Sequence, residues 1–223
     1  MGILSTETAV FARTETDGEI IGNRLYNLII GLTLCWGFAL NWFMVVNISP
    51  ESIASINPFI FFGGYIVSCL FGIYLFNSST KPLVSFIGYN FVVVPFGLII
   101  NLMVSRYDPL IVQDAIRVTG LVTVLMMLAG STFPEFFKKI RGALTVALIA
   151  VLIIELIEVF IFNMHHGILD WAVAAIFCGY IGYDWGRANQ IPKTVDNAID
   201  SAAALYMDII NLFIRILRIM GRR

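Results

Sequence analysis

The stretch LYMDIINLFIRILRIMGRR, residues 205–223, places a carboxylate (Asp208), an amide (Asn211) and two guanidiniums (Arg215, Arg218) among Leu, Ile, Met and Phe. A helix turns about 100° per residue, so Ser201, Asp208 and Arg215 fall on one line, with Ala204, Asn211 and Arg218 beside it. A charged group at mid-membrane costs several kcal/mol, so a stripe of this kind faces protein or water rather than lipid. Asp208 in particular needs a partner. Arg215 is two turns away, beyond an i,i+4 pair, and Asn211 at i+3 offers only its amide. Asp184, in IGYDWGRA near the same membrane face, is a further candidate. The connection through Arg187, Pro192, Lys193 and Thr194 is short, which makes the two helices antiparallel neighbours. A symmetrical hairpin centred near Pro192 sets Asp184 opposite Asp200, with Asp208 a turn or two deeper. Pairing Asp184 with Asp208 therefore demands stagger, tilt or an interfacial stretch at 194–200, and spacing alone does not choose between these.

A second set of acids lies upstream. Glu155 and Glu158 in LIIELIEVF are i,i+3 on one helical face, and His165, His166 and Asp170 follow at the next turn. Oxygen ligands suit calcium, so Glu155, Glu158 and Asp170 can form a cation vestibule. They can equally be carboxylates reaching the interface or paired within the bundle. Adjacent histidines in a turn make a poor zinc site without further ligands, and no metal site is expected. HExxH, GxSxG and paired GxGD-like aspartates are absent, with Gly182-Tyr183-Asp184 only superficially similar to the last. The sequence therefore reads as a non-enzyme.

These residues must be positioned by membrane helices. Of 223 residues, 59% are hydrophobic and 13% charged, against about a quarter charged in soluble domains. The mean hydropathy is +0.87. Apolar spans lie near 25–46, 55–76, 83–105, 112–130, 142–162, 168–186 and 201–220, each long enough for a hydrocarbon layer of roughly 30 Å. The expected architecture is an all-α integral membrane protein with seven transmembrane helices. It comprises a polar tail at 1–24 and a single domain at 25–223. The polar stripe puts the seventh helix in the middle of the bundle rather than on its rim.

The tail is acidic and lacks the basic and apolar regions of a cleaved leader, so the first span is expected to stay. MGILST matches a loose myristoylation pattern, which chance explains. With the N-terminus cytoplasmic, that side collects Arg13, Arg24, Lys81, Lys138, Lys139, Arg141, Arg187 and Lys193, against Arg106 and Arg117 opposite. Seven crossings then leave Arg222 and Arg223 on the wrong side. Either the first helices dominate topology or one segment does not fully cross. Arg215 and Arg218, toward that end, have stems long enough to snorkel. A net charge of −1 gives no reason to expect nucleic acid as a partner.

Gly64, Ser68 and Gly72 at four-residue spacing, and Gly182 and Gly186 with Gly179 nearby, mark faces for close helix packing. Pro95 removes a backbone hydrogen bond from the third span. Asn90 and Asn101 flank it on one face, more suited to interhelical hydrogen bonds than to lining a path. Cys35, Cys69 and Cys178 read as small buried hydrophobes.

GYD at 182–184, LYMDIINLF at 205–213 and LRIMG at 217–221 resemble the C-terminal signature of the Bax inhibitor-1 family, the transmembrane Bax inhibitor motif proteins. Met207 stands where that signature has Leu. The resemblance implies six helices surrounding a central seventh. It also implies a pH-sensitive calcium leak controlled by a proton-sharing aspartate pair, here Asp184 and Asp208, twenty-four positions apart. Two carboxylates in contact in a poorly solvated site cannot both ionise cheaply, so the pair titrates as a unit. On that reading Asn211, Arg215 and Arg218 support the pair. The partners are the lipid bilayer, protons and calcium as permeant ion, with no cofactor, and a bacterial cell membrane is favoured over an intracellular eukaryotic one. Bacterial members carry a basic residue in the second helix, whereas 55–76 holds no charge here; Arg187 or Lys193 can stand in from the loop. The alternative is a non-conducting membrane regulator of stress response or proteolysis acting through membrane protein partners.

Overall fold

The computed structural model describes residues 18–158 and 167–222. Eight helices, and no strand, occur among them: α1 Asn23–Asn47, α2 Pro50–Ala54, α3 Pro58–Ser78, α4 Pro82–Val104, α5 Pro109–Thr132, α6 Pro134–Ile157, α7 Gly167–Ala188 and α8 Val195–Met220. Helices α2 to α6 each open on a proline at the first position, where the missing N–H costs nothing and φ is already helical. Side-chain caps reinforce several starts. Asn57 accepts from the Phe59 N–H at 2.9 Å and Asp108 from the Leu110 N–H at 2.8 Å.

The punctuation explains where hydropathy misplaces boundaries. α6 starts at Pro134, eight residues before the expected 142, so Lys138, Lys139 and Arg141 lie in the helix and not in a connection. Arg117 likewise sits in α5, paired with Asp114 at 3.1 Å. α8 starts at Val195 instead of 201, because Thr194 Oγ1 accepts from the Asn197 N–H at 3.1 Å and caps it.

Five described helices, α1, α3, α4, α5 and α6, are long and apolar enough to cross a membrane. α7 and α8, more polar, are not among them. Large side chains lie exposed along the five, including Trp42 on α1, Val67 on α3, Leu83 on α4, Leu121 on α5 and Val146 on α6. Apolar surface on this scale belongs in lipid. The cysteines are less buried than expected: Cys35 is exposed and Cys69 and Cys178 are intermediate. In hydrocarbon an outward thiol needs no burial inside the protein.

The chain divides into two compact units. The first holds the described part of Met1–Ser105 together with Gln190–Ala204, and α4 organises it. Gly88 of α4 meets Gly72 of α3 so closely that a β-carbon on Gly88 lies 2.7 Å from the Gly72 carbonyl oxygen. Gly64, about two turns before Gly72, faces open space. Toward α1, Tyr89 donates to the Thr33 carbonyl at 3.0 Å, and Asn101 donates to the carbonyls of Met44 (3.0 Å) and Ile48 (2.8 Å). Asn90 accepts from Trp36 Nε1 at 3.0 Å. Both asparagines thus make interhelical bonds.

Pro95 has no N–H for the carbonyl of Phe91, four residues back. The Ser68 hydroxyl of α3 donates to that carbonyl at 2.8 Å. Ser68 therefore supplies the hydrogen bond that the proline withholds.

The second unit is Arg106–Asn189 with Leu205–Arg223. Here α7 is the common partner of α5 and α6. Gly182 packs against the Gly130 backbone and the Phe137 ring, Gly186 against the Gly130 carbonyl, and Gly179 against Leu144. Trp185 Nε1 donates to Ser131 Oγ at 2.7 Å, and Tyr180 donates to Thr145 Oγ1 at 2.9 Å. Val173, Ile181, Leu205, Tyr206, Leu212 and Leu217 are fully buried.

Candidate functional site

Two polar clusters occupy the second unit. The first joins α7 to α8. The carboxyl groups of Asp184 and Asp208 are hydrogen-bonded to each other. A bond between two carboxyl groups needs a proton on one of them. Asp208 is 8% exposed, and its Oδ2 is buried without a hydrogen-bond partner. The two meet by a stagger between α7 and α8. Asp208 sits thirteen residues into a helix that begins at Val195, while Asp184 is four from the end of α7.

Two guanidiniums act electrostatically on Asp184, those of Arg141 and Arg187. Tyr183 fixes both. The Arg141 guanidinium stacks over its ring at 5.3 Å, and Arg187 Nη1 donates to its hydroxyl at 3.0 Å. Arg141 is the residue that sequence reasoning missed, since it was counted as a loop charge. The signal was Pro134, which moves the helix start upstream of it. Lys193, the other loop cation, lies in the first unit over the ring of Tyr26 at 6.0 Å. Asn211 turns back on its own helix and donates to the Met207 carbonyl at 2.7 Å.

The second cluster corrects two expectations. Arg215 does not snorkel. Its Nη1 donates to Glu155 Oε1 and, at 2.9 Å, to Asp170 Oδ1, while Nη2 donates to Glu155 Oε2 at 2.9 Å. Arg218 lies 3.7 Å from Asp170 Oδ1, and Arg222 2.6 Å from Asp170 Oδ2. Glu155 and Asp170 therefore do not form an open vestibule, because guanidiniums occupy them. A buried carboxylate is costly without a counter-charge, and α8 provides it. Glu158 is the residue that follows the last turn of α6. His165 and His166 lie outside the described residues.

In the first unit the opening turns of α8 carry a further buried polar group, in which the sequence reading did not single out Tyr26, Ser85 or Asp196. Ser85 donates to Asp196 Oδ1 at 2.7 Å, and the Tyr26 hydroxyl lies 3.1 Å from Ser201 Oγ. Asp196 and Asp200 are 3% and 1% exposed. Their presence was foreseeable from the Thr194 cap, which makes 195–200 helical and not interfacial.

A profile of the family described as Inhibitor of apoptosis-promoting Bax1 matches residues 20–223. Among relatives, an uncharacterized protein of Helicobacter pylori is 28% identical over 159 residues, 70% of this chain and 68% of that protein. An uncharacterized membrane protein of Vibrio cholerae is 26% identical over 147 residues, 65% of each chain. Bax inhibitor 1 of Schizosaccharomyces pombe is 33% identical over 132 residues, 56% of this chain and 47% of that protein. The matches span about half to two thirds of these relatives' lengths. With five apolar helices of membrane-crossing length and a family match that runs from residue 20 to the last, this integral multi-pass membrane protein belongs to the Bax inhibitor-1 family.

Proposed function

We propose that the protein is a pH-sensitive leak pathway for cations, calcium foremost, controlled by the Asp184–Asp208 pair. Seven membrane-crossing helices, with α8 at the centre of the other six, form the pathway in this reading, and its site is a bacterial cell membrane. The observation that carries it is the carboxyl–carboxyl hydrogen bond between α7 and α8. One shared proton ties the two helices. Its loss sets two like charges at contact in a poorly solvated place, which drives the carboxylates apart or draws in a cation. The guanidiniums of Arg141 and Arg187, held on Tyr183, bear on which of those states is favoured. The burial of most of α8 supports its central position: Leu205, Leu212 and Leu217 are at most 1% exposed.

Calcium entry into proteoliposomes, compared with protein-free vesicles from acid to alkaline pH, tests the reading. Flux above the control that changes with pH supports it; flux equal to the control at every pH removes it.

A second reading is a non-conducting regulator that acts through membrane protein partners. The description of the matched family, an inhibitor of an apoptosis-promoting protein, favours it. On that reading the polar residues of α8 only hold the bundle together, and Asp208→Asn changes stability without any transport to change.

A further inference from the structure

The second cluster has a geometry that a simple clasp does not require. Glu155 of α6 and Asp170 of α7 converge on one nitrogen, Arg215 Nη1 of α8. Two oxygens bound to one trigonal nitrogen lie about 5 Å apart. That is close to the span of two oxygen ligands across a calcium ion, whose bonds are about 2.3–2.6 Å long. The guanidinium thus sits where a hard cation between these carboxylates would sit. Arg215, Glu155 and Asp170 side chains are 12%, 15% and 2% exposed, so the position is largely closed to solvent.

We propose that Arg215 is an internal cation plug, whose guanidinium fills the position between Glu155 and Asp170 and bars permeant cations from that end of α6, α7 and α8. The proposal rests on the leak-channel reading. The charges around the site agree with it. Among the described ion pairs, Arg215, Arg218 and Arg222 face Glu155 and Asp170, three positive charges against two negative, which disfavours an approaching divalent cation. Withdrawing Arg215 frees both oxygens of Glu155, while Arg218 stays 3.7 Å from Asp170 Oδ1. Arg222 retains the Oδ2 of Asp170. A structural clasp and a plug differ in sign: losing a clasp weakens the fold and lowers activity, whereas losing a plug raises flux.

The test is calcium flux through the full-length protein in phosphatidylcholine vesicles at one fixed pH. Wild type, Arg215→Lys, Arg215→Gln and the charge-neutral double variant Glu155→Gln/Arg215→Gln are compared, each checked for monodisperse elution. Arg215→Gln is expected to raise flux above the wild-type rate. Arg215→Lys, which keeps one ammonium but loses the two-pronged grip, falls between it and wild type. The double variant also exceeds wild type. Should Arg215→Gln fail to fold, the Lys and double variants decide. Flux at or below the wild-type rate in every folded variant, with wild type above protein-free vesicles, overturns the plug and leaves the channel standing. Wild type and all variants equal to protein-free vesicles removes the channel reading, and the plug with it.

Discussion

Ser68→Ala isolates one hydrogen bond whose need is created by another residue. Pro95 leaves the Phe91 carbonyl without its helical donor, and Ser68 Oγ fills the vacancy from 2.8 Å. Phe91 is 40% exposed on an apolar helix, so the carbonyl has no water to fall back on in a bilayer. An unmet polar group costs about 1–3 kcal/mol, and interhelical bonds measured in membranes reach about 1.7 kcal/mol. Ser68→Ala is therefore expected to destabilise by about 1–2 kcal/mol. In a Pro95→Ala background the new alanine N–H serves the carbonyl, and the same Ser68→Ala change is expected to cost less than about 0.5 kcal/mol. The assay is a double-mutant cycle by reversible unfolding in mixed micelles, with a coupling of about 1 kcal/mol or more expected. Equal costs in the two backgrounds would refute the reasoning, since Ser68 would then contribute nothing specific to the proline gap.

Other interfaces give simpler outcomes. Gly186→Val puts a β-carbon 2.8 Å from the Gly130 carbonyl oxygen, backbone that cannot yield cheaply, so a loss of about 1–3 kcal/mol is expected by thermal unfolding. Gly64→Ala, which meets open space, is expected to change the same melting temperature little. Asn101→Ala removes the donors to both Met44 and Ile48 carbonyls and is expected to cost about 1–3 kcal/mol, with faster hydrogen exchange at the end of α1.

Much of this architecture is written in short-range sequence signals. The apolar runs locate the long helices, and the spacing of Gly182 and Gly186 marks the face that meets Gly130. Asn101 and Asn90 read as interhelical donors and acceptors because each lies on one face of an apolar helix, and both bond to α1. Boundaries were less legible to hydropathy, which overlooks capping: Pro134 and Thr194 lengthen α6 and α8 toward their N-termini. Ion pairs were hardest to foresee. Arg215 and Glu155 are sixty positions apart, and nothing local in either segment names the other. Asp184 and Asp208 are matched through family resemblance, because a symmetrical hairpin sets Asp184 opposite Asp200 and spacing alone does not choose the pair. Contact between Asp184 and Asp208 needs a stagger between α7 and α8, to which no local sequence signal points.

The most direct test of the account is the pH profile of calcium flux in proteoliposomes for wild type, Asp184→Asn and Asp208→Asn. An asparagine holds the contact without a titrating proton, so both variants are expected to lose the pH dependence that wild type shows. Wild-type pH dependence retained in both variants would contradict the proton-sharing pair, even with conduction itself intact.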